Sequence, residues 1–109
     1  MANDQFEYAE EHRLALHKMF EEVLGNKNVY FAPPESFKLE YECIVYERVS
    51  GQTIFSNNKP YINDRRYTAT VISEDPDTLT PDKLASKEKC TFDRSFCVDN
   101  LYHFVFTVY

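Results

Sequence analysis

The sequence predicts an α+β domain: a mainly antiparallel β-sheet with a long N-terminal helix and a short second helix packed on one face. Three observations predict it. Leu16, Met19, Phe20, Val23 and Leu24 recur at the spacing of one helix face. Short β-branched and aromatic runs follow, broken by turn residues. A second helix-start signal, Thr80-Pro81, sits between the later runs, giving the order α-β-β-β-α-β-β of an α+β domain. At 109 residues the chain is expected to be one domain, 1–109, with 1–15 as an extended helical N-terminus.

Each element has a local cause. Residues 4–24 form the long helix; Asn3 or Asp4 caps it, and Glu7, Glu10 and Glu11 sit near the positive end of its dipole. The face runs upstream through Phe6, Ala9 and the stem of Arg13. Gly25 ends the helix by taking the left-handed conformation. Val29-Tyr30-Phe31 is extended, and Pro33-Pro34 stops its pairing because proline has no N–H to donate.

Leu39–Val49 is the strongest strand; Cys43-Ile44-Val45-Tyr46 is apolar throughout, as in a strand covered on both faces. Val45 is therefore expected to reject a charge. Ser50-Gly51-Gln52 reads as a turn, with Thr53-Ile54-Phe55 returning and Ser56–Asp64 a polar loop. Arg65–Ile72 is a strand with Tyr67, Ala69 and Val71 on one side. Thr80 caps a helix over 81–88, and Thr91–Val98 and Leu101–Tyr109 pair around Asp99-Asn100. That last aromatic run must be buried or covered by a partner.

Composition restricts function more than it assigns it. The formal net charge is −6, which argues against wrapping DNA or coating an anionic membrane. Two glycines, Gly25 and Gly51, are too few for a phosphate-cradling loop. No apolar run approaches the ~18 residues of a membrane span, and nothing at the N-terminus resembles a basic-then-apolar leader. Nine Phe and eight Tyr suit strands, and equally suit protein interfaces.

The candidate chemistry is thin. Cys90, Cys97 and His103, with His12 or His17, are residue types that bind zinc, but the cysteines lack knuckle spacing. Cys43 has the chemistry of a nucleophile but lies in an apolar strand, where a core cysteine is the simpler reading. The pairs Asp75 and Asp77, and Glu40 and Glu42, read as a proline turn and as one solvated strand face. No catalytic, cofactor-binding or metal residue is assigned. Arg65-Arg66, near Lys59, Tyr61 and Tyr67, is the one concentrated basic patch and reads best as a contact to an acidic neighbour.

Several segments together resemble a group of small proteins of tailed phages and prophages of Gram-positive bacteria, encoded among head–tail joining and tail genes. They are Asn28-Val29-Tyr30-Phe31 with Pro33-Pro34-Glu35-Ser36; Tyr41 and Cys43-Ile44-Val45-Tyr46; Asn58 with Pro60-Tyr61; Arg66-Tyr67 with Thr70-Val71-Ile72 and Asp75-Pro76-Asp77; Cys90-Thr91-Phe92-Asp93-Arg94; and Asp99-Asn100-Leu101 with His103, Val105 and Phe106. The resemblance spans roughly 16–109. It departs at Glu42, where the pattern carries proline, and in the acidic stretch before Leu16.

The group is similar to tail terminators, also called tail completion proteins. That resemblance implies a subunit of a ring, commonly a hexamer, on the head-proximal end of the tail tube. Its partners would be copies of itself, the tail tube protein and the head connector protein, with DNA only as passing cargo and no membrane. It implies no catalytic residue and no cofactor, and a location in the virion tail or neck after assembly in the host cytoplasm. A head-closure or neck protein and a module binding a host protein remain alternatives. The residues expected at the subunit interface are Phe55, Tyr61, Arg65, Arg66 and Tyr109, with the Ile54–Asp64 loop as one surface and the C-terminal strand as the other.

Overall fold

The computed structural model describes residues 4–49 and 66–109. Its elements run α1 (Asp4–Leu24), β1 (Val29–Phe31), β2 (Cys43–Arg48), β3 (Tyr67–Ser73), α2 (Thr80–Ala85), β4 (Cys90–Val98) and β5 (Leu101–Val108). The strands form one sheet in the order β1-β2-β3-β5-β4. β1 lies parallel to β2, and every other pairing is antiparallel. The α+β architecture expected from the sequence is the one observed.

The register explains the two-layer arrangement. Side chains alternate across a strand, so pairing Val29 with Ile44, Ile44 with Val71, Tyr46 with Ala69 and Ala69 with Phe106 puts these residues on one face. That face meets Leu16, Phe20 and Val23 of α1 and Leu84 of α2 in a single buried cluster. The helical spacing of Leu16, Phe20 and Val23 thus has its cause in the sheet beneath it. Aromatic rings fill the centre: Phe20 meets Tyr46 edge-on with centroids 5.0 Å apart, and Tyr46 meets Tyr67 at 5.8 Å. Such edge contacts add to the area each ring buries.

Gly25 terminates α1 as expected. Its φ is +86°, and its N–H donates to the Glu21 carbonyl at 2.8 Å. The turn between β4 and β5 uses two consecutive left-handed residues, Asp99 (φ 55°) and Asn100 (φ 64°). This is the tight hairpin turn that matches strand twist, and Asp and Asn tolerate it best after glycine.

Several sequence expectations need correction. β2 begins at Cys43, not Leu39; residues 39–42 are irregular, and the Tyr41–Glu42 peptide bond is cis. Glu40 and Glu42 therefore do not share a strand face. Instead the Thr78 hydroxyl donates to the Glu42 carboxylate, and the Glu40 N–H donates to the Tyr30 hydroxyl at 3.4 Å. Thr80 does not cap α2. It is the first helical residue, buried, and Leu79 occupies the cap position with no side-chain hydrogen bond. The hydroxyl that accepts the Thr80 N–H belongs to Thr78, at 3.3 Å. Pro81 still falls within the first turn, where no N–H is needed. α2 stops at Ala85, short of residue 88. The hairpin arm Thr53-Ile54-Phe55 and the loop Ser56–Asp64 lie outside the described residues.

Candidate interaction surface

The structure disperses the chemistry-bearing side chains. Cys90 and Cys97 stand at opposite ends of β4, roughly 20 Å apart at strand rise. Cys97 pairs with Tyr102 and His103 with Phe96, so register sets Cys97 and His103 on opposite faces of the sheet. His17 is engaged elsewhere: its Nδ1 and the Tyr46 hydroxyl share a hydrogen bond at 2.8 Å, and its Nε2 lies 3.6 Å from Glu21 Oε2. His12 faces Tyr67, with ring centroids 6.2 Å apart. Among the described residues no group of three or more His, Cys, Asp or Glu could hold a metal ion. Asp75 is a turn residue whose Oδ1 accepts the Asp77 N–H at 2.9 Å.

Cys43 is fully buried, and that burial, reinforced by the Glu42 carboxylate, pushes its thiol up to about 12. Burial also raises Cys90, partly offset by Lys87. Both thiols are neutral in the folded chain, whereas an unfolded cysteine ionises near pH 9. The stability that follows is complete below that pH and declines as pH rises from 9 toward 12. Cys97 alone of the three is exposed. At pH 8 a thiol reagent is expected to label one cysteine per folded chain, and all three after denaturation; fast labelling of three would contradict the burial.

Tyr46 is the polar hub beneath α1. Burial raises its hydroxyl, opposed by a hydrogen bond and charge from Arg13. The same Arg13 guanidinium lies 4.7 Å over the Phe31 ring, a cation–π contact. Arg13 and His17 are one helical turn apart, so both reach the same hydroxyl from one face of α1. Tyr46→Phe should keep the packing and remove the shared partner, at a cost of about 1–2 kcal/mol. Urea denaturation measures it, and an unchanged midpoint would show that the hub contributes nothing.

What remains is surface. β4 is an edge strand of nine residues, and every one except Cys90 is exposed. Phe92, Phe96 and Val98 on it are each between 43% and 49% exposed. An open strand edge presents unpaired N–H and C=O groups to any extended chain. Its middle carries a bulge between Phe92 and Arg94, and the Arg94 guanidinium donates to the Asp93 carboxylate at 2.7 Å. The bulge breaks strand parity, so Phe92 shares the helix-side face with Phe106 while Phe96 lies on the other, stacked on His103 at 4.7 Å. The opposite edge, β1, has three residues.

A second exposed group lies at one end of the sheet. The Val49 N–H donates to the Arg66 carbonyl at 3.1 Å, and pairing of Tyr67 with Val108 brings Arg66 beside Tyr109. The Tyr109 N–H donates to the Lys89 carbonyl at 3.0 Å. Arg66, Val49 and Tyr109 are all exposed there. The structure therefore brings together two of the expected interface residues, Arg66 and Tyr109. Phe55, Tyr61 and Arg65 lie outside the described residues.

The C-terminal aromatic run is buried, one of the two outcomes expected of it, so its strand does not serve as the second docking surface. β5 is paired on both sides, to β3 and to β4, and Val105, Phe106 and Val108 are buried. Its aromatic run is covered by the chain itself, and the open edge moves outward to β4. No helix among the described residues is long and apolar enough to cross a membrane. No protein-family model, curated protein or solved structure matches this chain.

Proposed function

We propose that this chain is a structural protein of a tailed phage or prophage: a tail terminator or tail completion subunit, joined in a ring at the head-proximal end of the tail tube. The reading rests on the motif resemblance across residues 16–109, and one structural observation supports it most. Among the described residues a nine-residue edge strand is left open and largely exposed, in a domain whose described titratable groups are spread among turns, core and helix face. Such an edge offers a ready set of backbone hydrogen bonds to a neighbouring protein.

Copies in a ring meet head-to-tail, so each needs two unlike surfaces. The β4 edge offers backbone groups along residues 94–98, whereas the sheet end offers the side chains of Val49, Arg66 and Tyr109, so the two are unlike. The chain's net charge of −6 suits a wall past which DNA slides without sticking. On this reading the protein has no catalytic role, binds no cofactor and takes its place in the virion tail or neck after assembly in the host cytoplasm.

Co-sedimentation tests it. The protein mixed with assembled tail tubes is expected to pellet with them at a few copies per tube end. Pelleting instead with head connectors would reassign it to head closure. Binding to neither, with stoichiometric capture of one host protein, would overturn the reading.

A further inference from the structure

The open β4 edge also has a specific counterpart in the free protein. Its sheet has two edges, and they are unequal. β1 is three residues long; its backbone turns away at Ala32 (φ 46°) and enters Pro33-Pro34. Prolines cannot donate to a ladder, so β1 cannot be extended to receive a longer strand. Among the described residues, the edge on another copy that matches β4 in length is β4 itself. A strand that pairs with its own copy does so antiparallel, about a two-fold axis.

The two halves of β4 differ in how they are guarded. The bulge and the Asp93–Arg94 ion pair interrupt its middle, and bulges and charges are the usual devices that blunt an edge. Past the bulge, residues 94–98 pair with β5 in regular register, with Arg94, Phe96 and Val98 on one face. Phe96 is already held by its stack on His103, at an interplanar angle of 11°. A side chain fixed in this way loses little freedom on association.

We propose that β4 pairs antiparallel with β4 of a second copy of this chain through residues 94–98, joining two five-stranded sheets into one. Centred on Phe96, this register stacks Phe96 against its counterpart and sets Ser95 opposite Cys97 of the second copy. It sets Arg94 opposite Val98 and Asp93 opposite Asp99 of the second copy. Two copies of an acidic chain repel one another, and in this register Asp93 faces Asp99 of the second copy; Arg94, bonded to Asp93 at 2.7 Å, is the cation that offsets those facing carboxylates, twice by symmetry. The inference goes beyond the ring reading and concerns the free protein. The dimer closes the same edge the assembled form would use, so the two compete, and an exposed strand is kept from non-specific aggregation until a partner displaces it.

Five residues a side is a small interface, at the low end of specific contacts. Dimerisation is therefore expected to be weak and concentration-dependent, seen by sedimentation velocity as a shift from monomer to dimer over the micromolar to near-millimolar range. Arg94→Glu should weaken it about tenfold or more by placing like charges together. Arg94→Asp combined with Asp99→Lys should restore it. Ser95→Cys should give a disulfide-linked dimer with native Cys97 under mild oxidation, while Ser95→Cys with Cys97→Ser should not, because its thiols are two residues out of register. All these positions are exposed, and a cooperative thermal melt is required of each variant before its dimerisation is read.

A protein that stays monomeric throughout, or a dimer that neither responds to Arg94→Glu nor cross-links through Ser95→Cys, overturns the proposal. A hexamer without the cross-link would do so while supporting the ring. A cross-linked dimer whose reduced form never binds tail tubes would support the pairing and refute the ring.

Discussion

Ile44→Asp is expected to leave no folded protein at neutral pH. Ile44 is fully buried and sits between Val29 of β1 and Val71 of β3 in the sheet. Its side chain belongs to the cluster beneath Phe20 and Leu84, whose buried members among the described residues include no cation to compensate a carboxylate. Burying an unpaired charge costs several kcal/mol or more, and the lost apolar burial adds a few. A domain of this size has about 5–15 kcal/mol in total. The expected far-ultraviolet and near-ultraviolet spectra are those of an unfolded chain. Glu47→Lys, three residues along the same strand but exposed, should shift stability by no more than about 0.5 kcal/mol. A cooperative melt for Ile44→Asp near that of the parent would contradict the placement of Ile44 in the buried cluster between sheet and helices.

Phe20→Ala should cost about 3–5 kcal/mol while leaving the fold intact. Phe20 is fully buried at the contact of α1 with the sheet, and its ring meets Tyr46 edge-on. Removing it deletes the transfer free energy of the ring and leaves a cavity that α1 can only partly close. Leu16 and Val23, one turn to either side, hold the helix at its present height above the sheet. The melting temperature should fall by on the order of 12 °C or more for a domain of this length. Leu14→Ala, on the exposed face of the same helix, serves as control and should change little. Equal effects for the two substitutions would mean that α1 does not dock through this face.

Much of this was legible in the residues, for reasons that can be named. The α1 face was readable because Leu16, Phe20 and Val23 repeat at a period that only a helix satisfies, and Gly25 supplies the φ its end requires. Alternation gave β3, since Tyr67, Ala69 and Val71 have to lie on one side. The charge-intolerant position was misplaced by one. Val45 is only half-buried, on the far face of the sheet, while Ile44 and Tyr46 face the helices. A continuous apolar run hides which residues point where, because parity has no polar marker to set it. Leu39–Glu42 read as strand because Leu39, Tyr41 and Cys43 alternate with Glu40 and Glu42; the contacts to Tyr30 and Thr78 that hold this segment apart from β2 are tertiary and have no local signal.

The exposure of β4 was the largest omission. Phe92, Phe96 and Val98 look like core residues, and whether a strand is central or at an edge depends on sheet order rather than on its own residues. A signal was present in Asp93-Arg94. Two adjacent charges in the middle of an aromatic strand suit an edge with a bulge better than a buried strand. Arg66 and Tyr109, by contrast, were expected at an interface and do lie side by side at one exposed end of the sheet.

Hydrogen exchange on the protein, free and bound to tail tubes, tests most directly the claim that β4 is the surface through which this chain works. Amides of residues 94–98 that face away from β5 should exchange fast in dilute free protein and become strongly protected in the bound form, while those of β3, already laddered on both sides, change little. Tail binding that leaves the β4 amides unprotected and protects another surface would contradict the account.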